Sequence, residues 1–127
     1  TDCVCRKTRR IMGEGCGHLE KEVCIVVGEM AKMGRRMEIT RTIDYEETLE
    51  ILKKCEENGL VHQISNVDGP EKTWVICNCC SCSCLALRGS QYYNAPNFSR
   101  SNFVAKIDAE KCTACGNCVE ACHRNLI

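Results

Sequence analysis

The sequence predicts a small, cysteine-rich α+β domain of two helices and a β-hairpin, followed by a short terminal segment with its own cysteine run. Three observations predict it. An apolar repeat of helical period precedes a capped amphipathic helix, and two runs of strand-forming residues then flank a cluster of turn formers. Cysteine fills 14 of the 127 positions, above the roughly 8–10% at which a short chain has to be explained by its sulfur chemistry. The expected divisions are a domain over 1–89, a linker over 90–101 and a metal-binding segment over 102–127.

The first helix is expected from Leu19, because Leu19, Val23, Val26, Val27, Met30 and Met33 recur at helical spacing and Gly34 can end it. Methionines at this spacing read as core. The second helix is expected over 44–57. Asp44 and Glu47 form a capping-box-like start, Leu49, Leu52 and Cys55 share one face, and Asn58 and Gly59 stop it. Cys55 lies on that apolar face and reads as a packing residue, outside the metal sites. Residues 60–66 and 73–77 flank the turn-rich 68–72 and read as a hairpin. A helix followed by a hairpin also describes a winged helix. Arg35, Arg36 and Arg41 stand just before that helix, which keeps nucleic acid as an alternative partner, although short basic runs are usually solvated surface. Residues 90–101 are rich in turn formers without a period and read as a linker; 103–107 read as a short strand.

Lys plus Arg equals Asp plus Glu at 17 each, so no global field draws the chain to nucleic acid or to a membrane. Residues 1–10 hold no apolar signal core, and no run approaches the length of a membrane span. A disulfide scaffold also fits poorly. Cys79 and Cys80 are adjacent, and Cα atoms across a trans peptide lie about 3.8 Å apart, short of the usual disulfide range of about 4.4–6.8 Å. Dense CxC and CC spacings suit thiolates converging on metal, which points to a reducing compartment and an expected cytoplasmic location. Few aromatic residues imply a modest core, so bound metal would contribute to folding.

The strongest signal is Cys112-Thr-Ala-Cys115-Gly-Asn-Cys118-Val-Glu-Ala-Cys122, a CxxCxxCxxxC run. Three thiolates separated by two residues lie on a tight loop that can wrap one cube corner by corner. Gly116 supplies the backbone freedom such a loop needs, and the last step fits the start of a helix. The segment from about 102 to 127 resembles one half of a bacterial 4Fe-4S ferredoxin. The resemblance implies a 4Fe-4S cluster on Cys112, Cys115, Cys118 and a fourth cysteine, and single-electron exchange with redox partner proteins. In two-cluster ferredoxins the fourth cysteine of each run ligates the other cluster. Cys122 therefore either closes the local cube or joins three upstream thiols; local closure costs the least loop entropy and is favoured. His123 stands where the family usually has proline, which restores a backbone donor near the cluster.

Upstream, Cys77, Cys79, Cys80, Cys82 and Cys84 fall within eight positions. If that stretch is extended, Cys80, Cys82 and Cys84 face one way and Cys77 and Cys79 the other, with same-face neighbours roughly 6.6–7 Å apart. One zinc ion, at about 2.3 Å from each sulfur, needs thiolates closer than that. A cube tolerates the wider spread, and a looped conformation would relax the argument. Cys3, Cys5, Cys16 and Cys24 form a second, sparser group. The nine thiols together suffice for two metal sites, with Cys3, Cys5 and the 77–84 block as the candidate ligands of a second iron–sulfur or zinc centre. The layout of an early Cys-x-Cys-Arg, the Ile-Cys-Asn-Cys-Cys block and the terminal run resembles a group of ferredoxin-like Fe-S proteins of anaerobes. That likeness implies a further ferredoxin run and a chain that is a fragment of a longer protein. His18 reads as an exposed helix-start residue rather than a zinc ligand, and His62 as a strand residue.

The functional expectation is an iron–sulfur electron carrier, or an electron-transfer module of a larger oxidoreductase, rather than a stand-alone enzyme. No GxGxxG or P-loop run appears, so no nucleotide or flavin site is inferred. The alternative is a zinc-binding regulatory or interaction module whose helix–hairpin unit contacts DNA or a protein partner.

Overall fold

The computed structural model describes residues 1–64, 73–95, 101 and 103–122. In chain order the elements are α1 (Val4–Ile11), β1 (Ile25–Val26), α2 (Gly28–Arg36), α3 (Tyr45–Glu57), β2 (Val61–Ile64), β3 (Val75–Cys79), α4 (Leu85–Tyr92) and α5 (Asn117–Ala121). The strands form one antiparallel sheet in the order β1-β3-β2, which makes the architecture small α+β. No helix among the described residues is long and apolar enough to cross a membrane.

The α3 helix follows its local signals closely. The Asp44 carboxylate accepts from the Glu47 backbone N–H at 2.8 Å, and the helix ends on Asn58 with Gly59 at φ +71°. Its buried side chain is Cys55, fully enclosed beside Cys3, Val23, Leu60 and Cys80. The hairpin also forms, with β2 and β3 in the register Val61↔Cys79, His62↔Asn78, Gln63↔Cys77 and Ile64↔Ile76. Its connecting turn lies outside the described residues.

The expected first helix is overturned in its first half. Ile25 and Val26 are extended and pair with Ile76 and Val75, and the helix starts only at Gly28, whose φ of +59° breaks the chain there. The run Val23-Cys24-Ile25-Val26-Val27, β-branched at every position but Cys24, prefers a pleated surface, and pairing with β3 overrides an incidental helical spacing. Met30 and Met33 are correspondingly exposed rather than core. Gly34 lies inside α2 instead of capping it. A Cβ there would stand 2.5 Å from Thr40 Cγ2, so glycine is needed for the close approach of the following loop.

Three further differences concern elements without a clean period. The α1 helix buries Arg6 and exposes Val4 and Ile11, an inverted pattern that hydrophobic periodicity cannot find. The α4 helix extends through Tyr92 into the stretch read as linker, and Arg88 stacks over the Tyr92 ring one turn on, at 5.3 Å. Residues 103–107 carry no strand; Phe103 and Val104 are exposed, with no partner strand among the described residues.

Candidate metal-thiolate centres

All fourteen cysteines carry free thiols, and the fold gathers nine of them into one region. The strand period places Cys77 and Cys79 on one face of β3 and Asn78 on the other. Cys3 is the N-cap of α1 and Cys5 lies in its first turn, while Cys24 directly precedes β1. After β3 the chain turns through Cys80–Ser83, closed by the Cys84 N–H donating to the Cys80 carbonyl at 3.0 Å, and Cys84 caps α4. The turn overturns the extended reading of this block. Cys80, Cys82 and Cys84 do not share a strand face.

Six thiols form a closed ring of neighbours: Cys3 meets Cys5 and Cys24, Cys5 meets Cys84, Cys84 meets Cys79, Cys79 meets Cys77, and Cys77 meets Cys24. Cys5 and Cys24 are the acidic members. Cys5 is pulled far down by hydrogen bonds from Cys3 and then Cys84, and Cys24 is pulled down to about 3 by Cys3 and then Cys77, with the Arg6 charge assisting both. Cys3 and Cys84 are pushed well up as the donors, and Cys77 is pushed up to about 12, chiefly by Cys24.

Beside the ring stand Cys16, Cys80 and Cys82, whose sulfurs lie within 4.8 Å of one another. Among the described residues this is the one group in which three such donor atoms are mutually that close. Cys16 and Cys80 are 3.8 Å apart, and the Ser83 hydroxyl donates to Cys16 Sγ at 3.3 Å.

Arg6 lies between the two groups. It is 3% exposed, donates from one guanidinium nitrogen to the Asn78 carbonyl at 2.9 Å and approaches Cys80 Sγ with the other at 3.6 Å. No carboxylate pairs with it among the described residues; the thiols of Cys80, Cys3 and Cys24 surround it, and of these Cys24 is the one pulled toward its thiolate form. Asn78, fully buried, fastens the region. Its Nδ2 donates to the Val23 carbonyl at 2.6 Å, and its Oδ1 meets the His62 ring. His62 thus bonds Asn78 from β2. His18 is no helix-start residue; its Nδ1 meets the Asn58 carbonyl at 3.0 Å and ties the 16–19 loop to the end of α3.

The structure therefore brings together the candidates Cys3, Cys5, Cys77, Cys79 and Cys84 and adds Cys24, and it separates Cys80 and Cys82 into a second group with Cys16. Sequence reasoning counted Cys16 and Cys24 among the thiols without singling them out. The available signals were Gly15 and Gly17 flanking Cys16 and Arg6 directly following Cys5.

The terminal run occupies a loop and a short helix. Ala114 at φ +53° and Gly116 at φ +84° curl the backbone, Gly116 begins α5, and Cys122 ends it. Cys112, Cys115 and Cys118 are exposed and Cys122 is half-buried. The Cys115 thiol is pulled below its ordinary value by the Asn117 N–H and then the Thr113 hydroxyl. These are the donors a ligating thiolate requires. Local contacts hold this segment, as where the Glu110 N–H donates to Asp108 at 3.1 Å and Lys111 pairs with Asp108 at 3.3 Å. His123 lies outside the described residues. No curated protein and no solved structure matches this chain. The sequence model of the 4Fe-4S binding domain family does match, over residues 105–125, a stretch that contains Cys112, Cys115, Cys118 and Cys122. Over those residues the C-terminal segment is similar to the 4Fe-4S binding domain family.

Proposed function

We propose that this chain is an iron–sulfur electron-transfer protein, or the electron-transfer module of a larger oxidoreductase. Its terminal cube is held by Cys112, Cys115, Cys118 and Cys122, and a second metal–sulfur centre occupies the six-thiol ring. The observation that carries the reading is the terminal loop, where the family match coincides with exposed thiols on a curled backbone. The donor set fits: it is all thiolate, with an amide and a hydroxyl directed at Cys115. The cluster, when bound, supplies one-electron chemistry. The chain's own part is to hold the thiolates, to place hydrogen-bond donors on their sulfurs and to present them at the surface, where a redox partner protein can dock close to them. Closure by Cys122 is supported by the five-residue α5, which keeps it near the loop with little loop entropy.

The DNA-contacting alternative loses its support in the details. Arg41 is engaged by Glu22 and Glu47, and Arg35 donates to Thr42. The helix that precedes the hairpin, α3, carries five glutamates against two lysines, a field that repels a phosphate backbone.

Replacing Cys115 with serine tests the proposal. Anaerobically purified protein should lose about four iron atoms per chain together with the visible absorption of one cube. Unchanged iron in that variant would remove the assignment.

A further inference from the structure

Cys16, Cys80 and Cys82 are used neither by the terminal cube nor by the six-thiol ring. We infer that they form a third, mononuclear site for a thiophilic divalent cation of the zinc class, bound by three thiolates with its fourth position open to an external donor. The inference does not rest on the terminal cluster.

Spacing argues for one ion. A tetrahedral zinc with Zn–S of about 2.3 Å holds its sulfurs about 3.8 Å apart. Cys16 and Cys80 stand at 3.8 Å, and all three sulfurs lie within 4.8 Å of one another. A cube, whose thiolates sit on different irons, spreads them more widely.

The scaffold is built to hold this arrangement. The 80–83 turn brings Cys80 and Cys82 to the same side, with the Ser83 N–H donating to the Cys80 carbonyl at 3.4 Å in addition to the bond from Cys84. Gly17 at φ +77° bends the opposite loop so that Cys16 meets them across 64 positions of sequence. Donors point at the sulfurs: Ser83 Oγ at Cys16, and the Arg6 guanidinium at Cys80. These are outer-shell contacts of the kind that orient and stabilise metal thiolates.

Charge supplies an independent argument. Three thiolates and a divalent ion carry one net negative charge, and the buried Arg6, which has no carboxylate partner among the described residues, carries one positive charge. The occupied site is then neutral.

The fourth position has no His, Cys, Asp or Glu occupant among the described residues: no other such donor joins the three within the same distance. Cys82 is exposed and Cys16 half-exposed, and a cleft beside Cys16 is lined by Arg6, Arg10, His18, Glu20 and Lys21. Closed four-ligand sites are structural, whereas three protein ligands with an open position admit water or an exogenous ligand.

The test is metal analysis of the full chain purified anaerobically with both iron and zinc supplied. About one zinc per chain is expected, lost at least tenfold in Cys82→Ser and in Cys16→Ser while iron content stays unchanged. Cys115→Ser should lose iron and keep zinc, which separates failure of this site from failure of the terminal cube. Cys82 is exposed, so serine there does not threaten the fold; an unchanged far-UV circular dichroism spectrum verifies this. Zinc-edge X-ray absorption should report three sulfurs and one lighter ligand. Loss of iron in Cys82→Ser overturns the inference in favour of a cluster ligand, unchanged zinc overturns the site, and four sulfurs around the zinc overturn the open position.

Discussion

At the scale of single residues, the upstream region depends on Arg6 and Asn78 as much as on its thiols. Arg6 connects the Asn78 carbonyl with Cys80 and stands among thiols that can ionise, so its removal leaves both an unpaired carbonyl and uncompensated negative charge in a buried place. Arg6→Met, which keeps most of the volume, should therefore lower stability by about 3 kcal/mol in anaerobic denaturant titrations and reduce the metal retained by the nine-thiol region. A loss within 0.5 kcal/mol would mean that the charge is not coupled to the thiols. Cys55 makes the opposite case. It is fully buried but sits among Val23, Leu60 and Ile51 on the packing side of α3. Cys55→Ala should cost about 1 kcal/mol in the same titration through the lost apolar contact, with iron and zinc content unaltered.

At the scale of elements, the parts that follow their local signals are those whose ends are chemically marked. The Asp44 side chain satisfies the Glu47 N–H at the start of α3, and Asp44→Ala should lower stability by about 1 kcal/mol, read as a fall in thermal midpoint. The α2 helix is shaped by a close approach. Alanine at Gly34 would ordinarily favour a helix, yet its Cβ would meet Thr40 Cγ2 at 2.5 Å and Oγ1 at 2.9 Å. Gly34→Ala alone should destabilise by about 1–2 kcal/mol, and the Gly34→Ala, Thr40→Ala double variant should recover that loss. If the double variant stays as unstable as the single one, the Thr40 contact is not the cause.

At the scale of the whole molecule, apolar packing is sparse and sulfur takes its place. Of the nine buried apolar residues among those described, five are cysteine: Cys3, Cys55, Cys79, Cys80 and Cys84. The terminal segment buries no described residue of its own. With the proposed centres occupied, metal would supply much of the folding free energy, as it does in small metal-binding domains. Anaerobic removal of metal by chelation should abolish the cooperative thermal transition and most helical circular dichroism, and restoring metal should recover both. A chelated protein that still melts cooperatively near the original temperature would assign stability to packing instead.

The sequence by itself determined what depends on neighbours along the chain. The CxxCxxCxxxC spacing, the Asp44 cap, the α3 stop at Asn58 and the pairing of β2 with β3 all rest on residues near in sequence, the farthest pair being Val61 and Cys79 at 18 positions, so spacing, capping and turn chemistry suffice to read them. Only the tertiary structure decided how the nine upstream thiols divide. The direction of Cys80 and Cys82 depends on a turn that cysteine spacing does not announce, and Cys16 and Arg6 reach Cys80 across 64 and 74 positions. The same reason explains the strand at Ile25 and Val26. A short β-branched segment takes its conformation from the partner it pairs with, here Val75 and Ile76 of β3, and a helical spacing cannot outweigh those ladder bonds.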